Sequence, residues 1–161
     1  QALQTLRGSR VIVADLSPAR LAVAKKLGAI RVVNPREEDV AKVLQAETEG
    51  EGADLTVDAV GGAVTKRTAL EALRPGGASV WIGLHENTVP VDTYNITLPE
   101  RVVFGTYAAT IAELRQALDL MAAGRVDALS WVQRFPFADG VTAFNRMLAA
   151  QGADLKAVIC P

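Results

Sequence analysis

Cysteine and histidine are almost absent from this chain of 161 residues, which holds one of each, Cys160 and His85. A single cysteine excludes an internal disulfide and fits a reducing, cytoplasmic setting. Aromatic residues are scarce too, at 5% against 50% hydrophobic overall, so the core must be aliphatic, built from Ala, Val, Leu and Ile. Neither sign of charge dominates: 17 basic and 18 acidic residues leave a net charge of −1. The basic residues are scattered rather than striped, which argues against nucleic acid or a polybasic membrane surface as partner. No apolar run approaches the ~20 residues of a membrane span, and no signal peptide is visible. An initiator Met is missing as well. The opening "QALQTLRGS" reads as the last turns of a helix that begins elsewhere, so the expectation is a chain cut at its N-terminus. The length suits one domain with a real core, or one domain and part of another.

What is present is an alternation of two periods. "RVIVAD" (10–15) is a buried-strand run rich in β-branched residues. Ser17 is placed to cap a helix with Pro18 at its first position, and Gly28 supplies its stop. "RVVN" (31–34) reads as a second strand, 37–48 as a helix, "DLTVDAV" (54–60) as a third strand, and 63–73 as another helix. "RPGG" (74–77) reads as a turn and "ASVWIG" (78–83) as a fourth strand; a short run "VPV" (89–91) precedes a fifth, "RVVFGTY" (101–107). Apolar strands alternating with helices predict an α/β fold, a doubly wound parallel sheet. From residue 110 the style changes. Thr110 and Glu113 form a capping box for an amphipathic helix over 110–124, followed by a strand (131–137), a helix (138–150) and a last strand (155–160). We read this part as a small α+β tail rather than another turn of the alternation. The domains are accordingly 1–109 and 110–161.

Ligands of open parallel sheets bind beyond the carboxyl ends of the strands. Asp15, Gly61, Gly62, Gly83 and Gly105 all fall at such ends. An acid there can take the hydroxyls of a ribose, and glycines let backbone approach a flat ligand; singly, each is explained as well by a turn or a cap. The phosphate-binding loop G-x-G-x-x-G is lacking, but it belongs ~20 residues before the acid. Only fourteen residues precede Asp15. The opening half fits two nucleotide-binding classes, because S-adenosylmethionine-dependent methyltransferases also place an acid at this corner and often carry an "L-x-P-G-G" turn.

The rest of the chain separates them. From Leu6 onward the sequence resembles the C-terminal half of the zinc-dependent medium-chain alcohol and polyol dehydrogenases. The stretches that carry the resemblance are "GSRVIVADLSPARLAVAKKLGA", "VVNP", "GADLTVDAVGG", "LRPGGASVWIGL", "ERVVFGTYAAT", "ALDLMAAGRVD" and "FPFADGVTAFNRMLAAQGADLKAVICP". The last is foreign to methyltransferases. The resemblance implies a Rossmann-like cofactor domain lacking its first strand and Gly-rich loop, in an enzyme moving hydride between an alcohol or polyol and a nicotinamide cofactor. It also implies roles. Asp15 matches the acid that accepts from the adenosine ribose hydroxyls, which favours NAD over NADP, and Arg20 a basic position beside that ribose. Ala59, Val60 and Gly61 match the wall beside adenine and the nicotinamide ribose. Ile82, Gly83 and Leu84 match the segment meeting the nicotinamide; Thr106, Tyr107 and Ala108 match the place that binds its carboxamide. Lys156 matches a basic position near the pyrophosphate.

Zinc in this family needs Cys, His and carboxylate ligands. Cys160 reads as a small buried hydrophobe and His85 as a surface residue, so neither is assigned a metal, and the chain by itself is expected to be inactive. The resemblance further implies a homodimer or homotetramer, joined at the sheet edge through "TVPV" (88–91) or "RVVFGTY". A zinc-free quinone-reductase-like enzyme, a non-catalytic dinucleotide-binding module and, least favoured, a methyltransferase are the remaining alternatives.

Overall fold

The structure, a computed structural model, describes residues 1–149 and 155–161. These fall into two compact units, one made of 1–37 with 110–161 and the other of 38–109.

The first unit opens with α1 (Ala2–Arg7), closed by Gly8 in the left-handed conformation with φ 64°. Polar groups of this short helix reach far along the chain. Gln1 Nε2 donates to the Asp127 carbonyl at 2.8 Å, and Thr5 Oγ1 to that of Arg125 at 2.9 Å. Strand β1 (Ile12–Ala14) leads to α2 (Pro18–Lys26), which starts as the sequence dictates: the Ser17 hydroxyl accepts from Arg20 N and Pro18 occupies the first turn. Strand β2 (Arg31–Val33) then pairs in parallel with β1, with Val13 opposite Val32. Val33 is fully buried, and Leu21 of α2 covers this small sheet's core.

In the same unit, α6 (Ile111–Ala122) carries the expected capping box, Glu113 N donating to Thr110 Oγ1 while the Glu113 carboxylate accepts from Thr110 N at 2.7 Å. Its apolar stripe of Ile111, Leu114 and Leu118 stays exposed. Strand β6 (Val132–Pro136), a single 3-10 turn (Phe137–Asp139), α7 (Gly140–Leu148) and β7 (Lys156–Cys160) follow. The expected helix end at residue 150 lies outside the described residues. β6 and β7 run parallel. The tail is thus one more β-α-β turn of the alternation, in its own two-stranded sheet, and differs in this from the sequence reading.

The second unit begins with α3 (Val40–Glu47), whose cap Asp39 accepts from Ala41 N and Lys42 N. The expected start at 37 is displaced because Asn34 and Pro35 open a tight turn first: Arg36 N donates to Asn34 Oδ1 at 3.1 Å and Glu37 N to the Asn34 carbonyl at 2.9 Å. Then come β3 (Ala53–Asp58), α4 (Ala63–Glu71), β4 (Leu73–Trp81), a single helical turn α5 (Tyr94–Thr97) and β5 (Val102–Gly105). The sheet order is β3-β4-β5, all parallel. Leu70, Leu73 and the fully buried Ser79 sit at its centre, where Ser79 accepts from Trp81 Nε1 and is bonded to Thr56 Oγ1.

Two sequence expectations change here. "RPGG" lies inside β4 rather than before it. Ala53 faces Leu73 and Leu55 faces Ala78, so Asp54 alone stands opposite residues 74–77, which bulge from the ladder. Gly76 has φ 68°, so the local turn chemistry is real, but the strand has already begun at Leu73. The Arg101 guanidinium ties the bulge down, donating to the carbonyls of Leu73, Arg74 and Asn95. Second, "VPV" (89–91) forms no strand. Pro90 has no N–H to give a ladder, and the segment runs straight to the turn where Tyr94 N donates to the Asp92 carboxylate at 3.0 Å.

Candidate cofactor site

The residues expected to hold a nucleotide divide between the two units. In the first, Asp15 directly follows β1 and extends its ladder, Asp15 N donating to the Val33 carbonyl at 3.2 Å. Its Oδ1 accepts from Ser17 N at 2.8 Å, which locks the strand-to-helix corner, and its Oδ2 lies 3.9 Å from Arg20 Nη1. The carboxylate keeps 32% of its surface open. A carboxylate has about four acceptor positions. One full hydrogen bond and one long ion-pair contact therefore leave Asp15 able to accept from both hydroxyls of a ribose. Arg20 Nε is buried and, among the described residues, has no hydrogen-bond partner. These two side chains fit the adenosine end of a dinucleotide.

Lys156 is in this unit as well, exposed at the amino start of β7 rather than beyond a strand's carboxyl end. Cys160, at the end of β7, is only partly buried, because its strand pairs on one side with β6 alone; the expected buried hydrophobe is not what stands there.

In the second unit, Ala59, Val60 and Gly61 leave β3, Ile82, Gly83 and Leu84 leave β4, and Thr106, Tyr107 and Ala108 leave β5. The strands are neighbours, so the fold brings these three corners together at one sheet end. Thr106 N donates to the Trp81 carbonyl at 3.1 Å. Val60, Leu84 and Tyr107 present exposed apolar surface, and Ala108 adopts φ 60°, rare for a residue with a Cβ.

The glycines have a reason that sequence reading did not find. A Cβ on Gly61 would lie 2.2 Å from the Gly83 carbonyl, and one on Gly83 would lie 2.2 Å from Gly61 N. The two corners touch backbone to backbone. His85 N and Glu86 N donate to the carbonyls of Val60 and Gly61, both at 3.1 Å, and the Glu86 carboxylate accepts from Ala63 N at the start of α4.

Sequence reading also missed Asp58 and Lys66. Asp58, 4% exposed, ends β3 as Asp15 follows β1; its Oδ1 accepts from Val60 N at 3.1 Å and Gly61 N at 3.0 Å. Its Oδ2 meets Lys66 Nζ at 3.1 Å, and the ammonium stands 4.9 Å from the Trp81 ring centre. The signal was there: Lys66 shares a helix face with Leu70, four residues on, and that face is buried.

Burial raises the Asp58 carboxyl's pKa, but hydrogen bonds from Gly61 N, Lys66, Thr65 and Val60 N outweigh it and hold the group below its ordinary value. A carboxyl with its folded pKa depressed stabilises the protein above the unfolded value of ~3.9 and loses that contribution as pH falls through the folded one. Asp58→Asn is therefore expected to flatten the acid limb of the stability curve below pH ~4. Urea midpoints measured across that range check it, and an unchanged acid limb would contradict it.

His85 is exposed, and among the described residues no three His, Cys, Asp or Glu side chains gather as a metal site. No helix among the described residues is long and apolar enough to cross a membrane.

This arrangement has known counterparts. The chain is 32% identical over 159 residues to a putative D-xylulose reductase of Agrobacterium fabrum, covering 96% of this chain and 45% of that protein. It is 33% identical over 144 residues to an alcohol dehydrogenase of Geobacillus stearothermophilus, covering 89% and 42%. The alcohol dehydrogenase TADH from Thermus sp. ATN1 superimposes with a TM-score of 0.83 at 27% identity, over 94% of this chain and 44% of that one. The chain thus spans less than half the length of these relatives. The family described as zinc-binding dehydrogenase matches residues 1–123. With more than half of the chain matched in this way, the chain belongs to the zinc-binding dehydrogenase family.

Proposed function

We propose that this chain is the dinucleotide-holding part of an oxidoreductase that moves hydride between an alcohol or polyol and NAD. The observation that carries the reading is Asp15, a carboxylate about one-third open, fixed at the end of β1 by Ser17 N with acceptor capacity to spare. A ribose diol donates to such a carboxylate, whereas a 2′-phosphate is repelled by it. Arg20 lies beside the same ribose. In the second unit the corners at Ala59–Gly61, Ile82–Leu84 and Thr106–Ala108 would hold the nicotinamide half, with Val60, Leu84 and Tyr107 as apolar cover against water. The chemistry that bound NAD supplies is hydride acceptance and return, while the chain's residues hold and orient it. Zinc belongs to the family, but its donors are not assembled among the described residues. The alcohol or polyol class follows from the xylulose reductase and alcohol dehydrogenase to which the chain is similar. For assembly we propose a homodimer or homotetramer joined through the free edge of β5, since 88–91 offer no strand.

The test is a cofactor exchange in the complete gene product. Wild type is expected to reduce NAD in preference to NADP with alcohols or polyols. Asp15→Ser with Leu16→Arg removes the repulsion and offers a guanidinium from an exposed position. Charged hydrogen bonds of ~1.5–3 kcal/mol correspond to a shift of roughly 10- to 100-fold toward NADP in kcat/KM. A wild type that already prefers NADP would overturn the reading of Asp15.

A further inference from the structure

We propose that Lys66 is a positioning residue: its ammonium fixes the buried Asp58 side chain and, through it, the two backbone corners against which the dinucleotide docks. The inference rests on the function proposed above and adds to it a residue that touches no ligand. A lysine that is 7% exposed is costly to keep, since a buried ammonium needs a partner and replacing such a pair with apolar groups is often neutral for stability. Its use lies in geometry. Asp58 bonds outward through both of its ends. Its carboxylate takes Val60 N and Gly61 N, while its carbonyl takes Ile82 N and Gly83 N, both at 3.0 Å. One residue thus sets the corner after β3 and the corner after β4. Free to rotate, the carboxylate would hold the first corner in more than one way. Lys66 prevents this by claiming Oδ2 at 3.1 Å, and Trp81 walls the ammonium at 4.9 Å, so Oδ1 stays aimed at the two amides. Lys66 sits in α4, whose first turn begins at Gly62, so the helix and both corners are braced as one piece.

The experiment compares the complete wild-type gene product with Lys66→Met and Lys66→Arg. Two quantities are read, amide exchange at Val60, Gly61, Ile82 and Gly83, and NADH affinity by fluorescence. Lys66→Met is expected to speed exchange at those amides over the rest of the unit and to weaken NADH binding about tenfold, the size of one lost charged hydrogen bond. Lys66→Arg, which keeps the charge, should restore most of both. Asp58→Asn with Lys66→Met leaves no uncompensated buried charge and replaces Lys66→Met if that variant does not fold; the same two changes are expected of it. Unchanged exchange at the four amides overturns the inference. So does faster exchange with NADH affinity intact, or failure of Lys66→Arg to restore either quantity. A wild type that binds no NADH overturns the function itself and the positioning role with it, which keeps the two failures apart.

Discussion

Gly83→Ala is expected to cost the complete gene product at least ~3 kcal/mol of stability, read as a lowered urea midpoint. The new methyl would lie 2.2 Å from Gly61 N and from the Val60 carbonyl carbon, both backbone atoms of a hydrogen-bonded corner that has no rotamer to change. Gly61→Ala adds backbone strain, because its φ is 89°, a region that costs other residues ~1–2 kcal/mol. Gly105→Ala is the control: a Cβ there would meet nothing within 4 Å, and a change within ~0.5 kcal/mol is expected. If Gly83→Ala proved as mild as Gly105→Ala, the two corners would not be in contact as described.

A second large effect concerns strand edges. The polypeptide of residues 1–161, produced alone, is expected to self-associate at micromolar concentration, measured by light scattering and gel filtration. Among the described residues β3 pairs only with β4, so its other side presents backbone groups without a ladder partner, with Leu55 and Val57 exposed along it. β5 is the other edge of that sheet, with Val102 and Phe104 exposed, and among the described residues β1 pairs only with β2. Of these edges only β3 carries charge, in the exposed Asp54 and the buried Asp58, and largely apolar edges without proline are templates for pairing with another chain. The uncovered stripe of α6 adds apolar surface. A monodisperse monomer would contradict this account.

The features legible in the sequence were those whose physics is local. Ser17 with Pro18, and Thr110 with Glu113, are caps that work within four residues, and both stand where they were expected. The parallel α/β class followed from the alternation of apolar strands and helices, which is local too. Partners distant in sequence were not legible. The "RPGG" turn became a bulge because Leu73 pairs with Ala53, a choice made by the neighbouring strand. The tail's parallel pairing depends on where α7 crosses over, which its amphipathic pattern leaves open. At the candidate site, the glycines were read as room for a ligand, whereas Gly61 and Gly83 make room for each other. Asp58 and Lys66 escaped notice because a charged pair stands out only when its burial is known, and burial is a property of the folded sheet.

The union of 1–37 with 110–161 has a consequence for the order in which the molecule takes shape. Gln1 and Thr5 are bonded to Asp127 and Arg125 across separations of 126 and 120 residues, while Arg74 reaches Asp54 across only 20. Closing the longer loop costs roughly 1.6 kcal/mol more chain entropy. During synthesis, moreover, the closing partners of α1 leave the ribosome only after the whole of 38–109 has done so. The continuous unit can therefore condense while residues 1–37 still wait. Until residues 110–161 arrive, β1 and β2 are a two-stranded ribbon without the rest of their unit, too small to persist unaided. Residues 1–37 are then where protease and chaperone find this part of the chain most open.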